Sequence, residues 1–507
     1  MTESRVKIFA TVGQAALLLL LAGVLIGRRD FAHLNLSDFI GWLKLLPPPL
    51  PLWSSRAFVT ETLLLALLPC ALIVGHARFS QARGVHWRER FVNAFGTGSA
   101  CALAFIAYGA AHGVAGKISG GDTYLVFRQS ALAAYAVVFI YTQIFFGGAE
   151  NLTRWAALAG IAASLACAAL DTFGWLGPKQ VPETGEWMPI YGQETLPLAI
   201  LGLGYFFVAQ SKWYVHVLCA AGMVFAAWRQ AARPMQSVVP IGMAGAFALL
   251  LLLSIILALR GQSATLKRAA LCVMLFAVLA VGYRALKSQT AQNEQPGTEA
   301  SSEIKAWSLN QYGTLFEIFK NAHGPADAAQ RMSARRPPYV PVSDEEVYKL
   351  QAVFEATPSV SVRNNIWRFL VWRRMLLDWR AGNIYLGSGV GQPWFYTALY
   401  QSGFHYGDPR EGLDPHNSYV NTLHRFGLLG LGLLLSIVAV TIFSAFKALF
   451  NSRGEPLLEA LLLYFFYTLV FACFTVSLEG PAYSLPFWFA LGLVAARARS
   501  IRCPDVD

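Results

Sequence analysis

Apolar residues run along this chain in blocks long enough to cross a lipid bilayer as helices. A helical crossing needs about 20 residues, and such blocks recur along most of the 507 residues. The runs are uninterrupted rather than alternating, which favours helices over a membrane barrel. The pattern predicts roughly a dozen spans: Ile8–Gly27, Ala57–Ala77, Phe91–His112, Leu125–Gly147, Trp155–Leu176, Thr195–Gln210, Trp213–Trp228, Val238–Leu259, Ala269–Leu286, Gly427–Leu449, Pro456–Leu478 and Tyr483–Ala496.

A long polar segment separates the ninth predicted span from the tenth. Residues 1–286 are expected to hold nine spans, residues 287–426 to lie outside the membrane, and residues 427–507 to hold three spans and a tail. Near the end of the polar segment, Asn364 to Arg380 predicts an amphipathic helix whose tryptophans and arginines suit a headgroup interface. The expected fold class is therefore an all-α polytopic membrane protein with a large segment between spans nine and ten.

Composition and charge support a membrane location and argue against nucleic acid as a partner. The chain is 55% hydrophobic and 14% charged, whereas a soluble protein carries about 25% charged residues. The net charge of +11 comes from Lys and Arg in short loops at span ends, which is how membrane topology is encoded. With the N-terminus in the cytoplasm, most basic loops fall inside, and the long polar segment falls outside.

The cysteines give no sign of a disulfide framework. None forms a Cys-x-x-Cys pair, and the polar segment contains none, which also argues against a thiolate metal site. The seven are Cys70, Cys101, Cys167, Cys219, Cys272, Cys473 and Cys503.

His416 is the sharpest candidate for chemistry. It lies in a His-Asn-x-Tyr sequence, with Asn417 and Tyr419, just before the tenth predicted span. A neutral imidazole is the usual side chain for taking a proton from a hydroxyl near neutral pH, although a lone histidine is more often structural.

Metal binding near His416 is the weaker reading of the same region. The nearby potential ligands match no recognised ligand spacing, so we expect no metal and no cofactor. They are His405, Asp408, Glu411, Asp414 and His424.

Three arginines are candidates for binding an anionic substrate group. Arg363 opens the predicted interfacial helix, and Arg229 and Arg233 lie in the outer loop between spans seven and eight. A guanidinium matches phosphate oxygens bidentately, but an arginine at such a place can also simply snorkel to lipid headgroups. Arginines brought together at His416 would form a pyrophosphate cradle.

The glycines near His416 predict backbone features. The run from Gly387 to Gly391 is neither a phosphate-binding loop nor a dinucleotide motif, and it predicts a tight turn with close backbone approach. Contact of Gly389 and Gly391 with a ligand is the lesser reading. Gly427, Gly430 and Gly432 are interpreted as helix-packing positions in span ten.

The order of these motifs resembles the O-antigen ligase and O-antigen polymerase superfamily. The resemblance rests on Arg-x3-Trp (Arg363 to Trp367), the Gly-x-Gly-x-Gly turn, His-Asn-x-Tyr and a following Gly-Leu-Leu-Gly span, and it covers Arg363–Leu435. It implies an inner-membrane glycosyltransferase with about a dozen spans and a large periplasmic segment. Such enzymes take a glycan from undecaprenyl diphosphate, and the ligases attach it to lipid A–core without metal.

Residue by residue, the resemblance implies a catalytic role for His416 and for Arg363, with Arg233 as the second arginine and Arg229 in reserve. Asn417, Tyr419, Gly389, Gly391 and Trp367 are the expected substrate-binding residues. The sequence departs from the family at His424, where an acidic residue is common. The insert 287–358 is also long, which leaves a polymerase or another acceptor open.

Other functions also remain open at this point. A polymerase or a protein O-oligosaccharyltransferase would use the same donor with a different acceptor. A lipid-glycan transporter would need charges deep in the spans, for which Arg128 and Glu61 are the evident candidates. An assembly factor that binds partners through the polar segment is a further alternative.

Overall fold

The computed structural model of this chain is built almost entirely of α-helices. It describes residues 3–32, 59–82, 84, 86–147, 150–172, 179–180, 187–188, 201–205, 216–223, 225, 238–261, 263–277, 360–392, 394, 415–452, 455–474, 478 and 481–502. Several expectations lie outside these described residues, namely those at Arg229, Arg233, His405, Asp408, Glu411 and Asp414.

Thirteen longer helices are present in the described ranges: α1 Glu3–Ala32, α2 Val59–Ala66, α3 Leu68–Gln81, α4 Trp87–Phe95, α5 Thr97–Ile118, α6 Thr123–Ala134, α7 Val137–Phe146, α8 Glu150–Thr172, α9 Val238–Leu259, α10 Val360–Ala381, α11 Ser418–Ser452, α12 Pro456–Phe471 and α13 Pro481–Arg502. Residues 201–205, 216–223 and 263–277 are helical as well. The strands β1 Lys179–Gln180 and β2 Trp187–Met188 form one short antiparallel pair. The predicted all-α fold class is confirmed for the residues that the structure describes.

Six stretches in the described part of the chain are long and apolar enough to cross a membrane. They are Glu3–Leu25, Val59–Gln81, Thr97–Ile118, Leu125–Phe146, Ile241–Leu259 and Ser418–Ser452. Each overlaps a span predicted from the sequence. Helices α8, α12 and α13 overlap three further predicted spans without being among the six. The total of a dozen and the extramembrane location of residues 287–426 stay predictions.

The chain divides into two compact units. The first comprises residues 1–108, 131–287 and 433–507, and the second comprises residues 109–130 and 288–432. In the first unit, α12 packs against α9 and α13, and α13 packs against α7. Gln143 on α7 donates through its side-chain amide to the carbonyl of Gly492 on α13, and a Cβ on Gly492 would meet the Thr142 side chain at 2.6 Å. A small residue therefore lets these two helices approach closely.

A buried ion pair in the first unit was missed by the search for deep charges. Glu459 on α12 is fully buried and is held by Arg268, with N–O distances of 2.8 and 2.5 Å, and by the Thr265 hydroxyl at 2.9 Å. The deep charges expected from the sequence are Arg128 and Glu61 instead, and Glu61 accepts a hydrogen bond from Tyr135 at 2.8 Å. Because both carboxylate oxygens of Glu459 accept from neighbouring side chains, we interpret it as a structural charge.

The second unit contains most of the predicted motifs. The described core of α10 is formed by Ile366, Trp367, Leu370, Val371 and Met375, all buried. The helix predicted from Asn364 to Arg380 is therefore confirmed, with bounds Val360–Ala381. Its buried face packs inside the unit, so α10 is more than a surface helix.

Helix α11 begins earlier than predicted and is broken at Gly427. It starts at Ser418, and Gly427 has φ 65° and ψ −167°, which is not helical. The interpretation of Gly427 as a helix-packing position is therefore wrong, because a Cβ there would overlap the Tyr385 carbonyl and lie 2.6 Å from the Gly387 nitrogen. This backbone conformation is open essentially only to glycine.

The break in α11 is filled by the turn that follows α10. An unbroken helix would bond the N–H groups of residues 428 and 429 to the carbonyls of residues 424 and 425. Instead, these two carbonyls accept from Ser388 and Gly389 at 2.7 and 3.0 Å. The N–H groups of residues 428 and 429 donate to the carbonyls of Ile384 and Tyr385 at 3.0 and 3.2 Å. All four backbone groups thus exchange helical partners for partners in the turn.

Candidate active site

His416 lies directly before α11 in a strained backbone conformation. Its φ is 49°, and it is the non-glycine residue with positive φ in the described part of the chain. Its side chain is half-buried. Histidine tolerates this region better than most residues, but the conformation still costs on the order of 1–3 kcal/mol. Such strain persists only where the surrounding structure holds it, and it concentrates at functional sites.

Two tryptophans of α10 hold His416 in place. The Trp367 ring meets the imidazole edge to face, with centroids 4.9 Å apart, and the Trp372 indole donates to the carbonyl of Pro415, the preceding residue. Trp367 is 1% exposed. It therefore supports the histidine from within the unit, and its contact with substrate stays a prediction.

Asn417 forms the N-terminal cap of α11. Its side-chain oxygen accepts from the N–H groups of Tyr419 and Val420 at 3.1 and 3.0 Å. These are two of the donors that a helix start leaves without backbone partners. Asn417 is 8% exposed, so its role here is to fix the helix immediately after His416. Tyr419 lies in the first turn of α11 and is half-buried.

The glycine run forms the tight turn that its sequence predicts. Gly387, Gly389 and Gly391 have φ of 75°, 80° and 94°. A Cβ on Gly387 would meet the Arg425 carbonyl at 2.6 Å, which confirms the predicted close backbone approach. The Gly389 N–H donates to the Arg425 carbonyl at 3.0 Å, and the Gly391 N–H donates to the Gln129 side chain at 2.7 Å. These donors are engaged within the protein, so the turn does not present them as a phosphate cradle.

Gln129 fixes the far end of this turn, and no sequence signal pointed to it. Its side-chain oxygen accepts from the Gly391 N–H, and its side-chain nitrogen donates to the Gln392 carbonyl at 3.1 Å. The Gly391 carbonyl in turn accepts from the Asp122 N–H at 2.9 Å. The segment 109–130 therefore belongs to the structure that positions the turn.

His424 and Arg425 form a buried polar pair on α11 behind the turn. The His424 ring nitrogen Nδ1 lies 3.2 Å from the Ser388 hydroxyl, and its ring meets Trp394 with centroids 5.9 Å apart. Arg425 is 6% exposed and donates through Nε to the Asn421 side chain at 2.9 Å. His424 therefore packs between the glycine turn and α11, at the position where the sequence departs from the O-antigen ligase pattern.

Of the three arginines expected to form the pyrophosphate cradle, the structure describes only the backbone of Arg363. Arg363 lies in the first turn of α10, one helical turn before Trp367 and on the same helix face. Trp367 contacts His416, so that face is the one next to the histidine. The side chain of Arg363, and all of Arg229 and Arg233, lie outside the described residues. Their convergence on His416 stays a prediction.

In the described residues, no group of three or more His, Cys, Asp or Glu side chains is arranged to hold a metal ion. Comparison with known proteins adds no identity: no protein-family model matches the chain, and no curated protein matches it significantly.

Proposed function

We propose that this protein is a membrane glycosyltransferase that moves a glycan from undecaprenyl diphosphate to an acceptor hydroxyl. The proposed reaction is O-antigen ligation to lipid A–core, with the active site on the periplasmic face of a bacterial inner membrane. One observation carries the proposal. His416, singled out by the motif order that resembles the O-antigen ligases, has a strained backbone held by Trp367, Trp372 and the Asn417 cap.

The support for a catalytic rather than a structural histidine comes from the contrast between two residues. His424 is 3% exposed, and its ring is packed against Ser388 and Trp394. His416 contacts Trp367 and keeps part of its surface exposed. A general base must reach the proton it removes. Of these two imidazoles, His416 is therefore the one that suits the task.

In the proposed reaction, His416 takes the proton of the acceptor hydroxyl as its oxygen attacks the anomeric carbon of the donor glycan. The new carbon–oxygen bond forms as the bond to the diphosphate oxygen breaks, with inversion at that carbon. Undecaprenyl diphosphate leaves with the additional negative charge. The steps require neither a metal nor a covalent glycosyl intermediate.

Arginine side chains would stabilise the charge that grows on the leaving diphosphate. Guanidinium groups suit this task because they donate bidentately to phosphate oxygens and stay charged. Arg363 is the first candidate because it shares a face of α10 with Trp367. Arg233, with Arg229 in reserve, is the proposed partner from the loop before α9.

The experiment that tests this function offers the purified protein a carrier-linked glycan together with either lipid A–core or no second acceptor. We expect product of the size of glycan plus lipid A–core, and release of undecaprenyl diphosphate, at the same rate with and without a metal chelator. Lengthening of the carrier-linked glycan alone would instead assign a polymerase. Movement of the carrier lipid across vesicles without diphosphate release would contradict an enzymatic role.

A further inference from the structure

The turn between α10 and the glycine run carries an exposed apolar tip. Its residues Ile384, Tyr385 and Leu386 are 37%, 66% and 44% exposed. Leu428 and Leu429, just after the break in α11, are 43% and 49% exposed. Exposed apolar surface of this kind marks contact with a membrane or another apolar partner. We refer to Ile384, Tyr385 and Leu386 as the apolar tip.

Four backbone groups of the apolar tip, the N–H groups of residues 385 and 386 and the carbonyls of residues 384 and 385, bond to protein groups. Asn383 accepts through its side-chain oxygen from the N–H groups of residues 385 and 386 at 3.1 and 3.0 Å. The carbonyl of Asn383 accepts from Gly387 at 2.7 Å. The carbonyl of Ile384 accepts from Leu428 at 3.0 Å and from the Trp379 indole at 2.9 Å.

This pattern differs from that of an ordinary surface turn, which leaves its backbone to water. A non-helical segment can enter the apolar part of a bilayer only if protein groups satisfy its N–H and C=O groups, since lipid tails cannot. The apolar tip meets that condition at these groups while its side chains point outward. Apolar side chains over a backbone whose polar groups are mostly paired favour insertion into lipid.

The hydrogen bonds to α11 also fix the depth of the tip. The carbonyls of Ile384 and Tyr385 bond to the N–H groups of Leu428 and Leu429. These two leucines open the apolar run to Leu449, which lies within a candidate membrane span. The tip is therefore held beside the start of that apolar run. Arg380, exposed at the end of α10, lies close enough in sequence for its guanidinium to meet headgroup phosphates.

We propose that the apolar tip inserts into the bilayer at the boundary between headgroups and acyl chains, and that its partner is the lipid itself. Tyr385 suits this depth because its ring is apolar and its hydroxyl reaches the headgroup layer. The inserted turn would anchor the junction of α10, the glycine run and α11 at a fixed height above the hydrocarbon. This anchoring does not depend on the proposed glycosyl transfer.

The test is a depth measurement on the full chain in lipid nanodiscs. With the native cysteines replaced by serine, Leu386→Cys is labelled with an environment-sensitive fluorophore and quenched by lipids that carry a nitroxide at a shallow or a deep position on the acyl chain. Leu435→Cys, exposed on α11 further into the span, is the hydrocarbon reference. Arg88→Cys, exposed on α4 and outside the candidate spans, is the aqueous reference.

We expect shallow nitroxide to quench the label at position 386 at least about twofold more strongly than deep nitroxide. The label at position 435 should show the reverse order, and aqueous iodide should quench position 88 alone. Strong iodide quenching at position 386 without lipid quenching would overturn the proposal. Protection from both quenchers would overturn it as well, since it would assign the surface to a second protein copy. The same measurement at Ile384→Cys guards against an effect of one substitution.

Discussion

Gly427→Ala should disrupt the junction between α11 and the turn that fills its break. The backbone at position 427, with φ 65° and ψ −167°, costs a non-glycine residue on the order of 1–3 kcal/mol. The new methyl group would also overlap the Tyr385 carbonyl. Moving that carbonyl would weaken the two hydrogen bonds that Leu428 and Leu429 donate to the turn, each worth about 0.5–1.5 kcal/mol. The sum is a loss of roughly 2–6 kcal/mol.

The measurement is the apparent melting temperature of purified protein in detergent, followed by glycan transfer in nanodiscs. Gly432→Ala is the matched control on the same helix. A Cβ there meets nothing within 4 Å, and alanine stabilises a helix interior by about 0.5–1 kcal/mol relative to glycine. We expect Gly427→Ala to melt several degrees lower and Gly432→Ala to melt at or above the unmodified protein. Equal melting temperatures for both variants would refute the account of the break.

Three further substitutions test single contacts. Trp372→Phe removes the indole donor that holds Pro415, the residue before His416. We expect glycan transfer to slow at least about tenfold with little change in melting temperature, as for a positioning residue. An unchanged transfer rate would exclude that role. Gln129→Leu removes both side-chain hydrogen bonds to the glycine turn and should lower stability by about 1–3 kcal/mol, measured by thermal unfolding against Gln129→Glu, which keeps one acceptor. Glu459→Leu should cost about 3–5 kcal/mol because it leaves the partly buried Arg268 without this carboxylate. The double replacement of both residues by leucine should recover most of the loss, and equal losses would contradict the ion-pair assignment.

The helices could be predicted from the sequence because membrane spans are encoded locally. Runs of apolar residues located the candidate spans, and alternating tryptophans and basic residues located α10. The N-terminal start of α11 could not be located in this way. Its first turns carry polar residues such as Asn421 and Arg425, which a hydropathy pattern assigns to a loop.

Those parts of the site that depend on the type of a single residue could be predicted from the sequence. His416 and the glycine turn were found because imidazole and positive φ are properties of single residues. The hydrogen bond from Trp372 to Pro415 joins residues 43 positions apart in the chain, and the hydrogen bond from Gly391 to Gln129 joins residues 262 positions apart. No local pattern records contacts of that range. The burial of Trp367 could not be predicted for the same reason, since it is a property of the packed unit and not of its sequence neighbours.

The central claim is that His416 removes the proton of the acceptor hydroxyl, and His416→Ala tests it most directly. The matched control is His76→Ala, since His76 is an exposed histidine on α3 that belongs to the first unit and is not among the proposed site residues. Both proteins would be reconstituted, checked for equal melting temperature, and supplied with carrier-linked glycan and lipid A–core. The account predicts a fall of about 10²–10⁴-fold in the single-turnover rate for His416→Ala and an unchanged rate for His76→Ala. Normal transfer by a folded His416→Ala protein would contradict it.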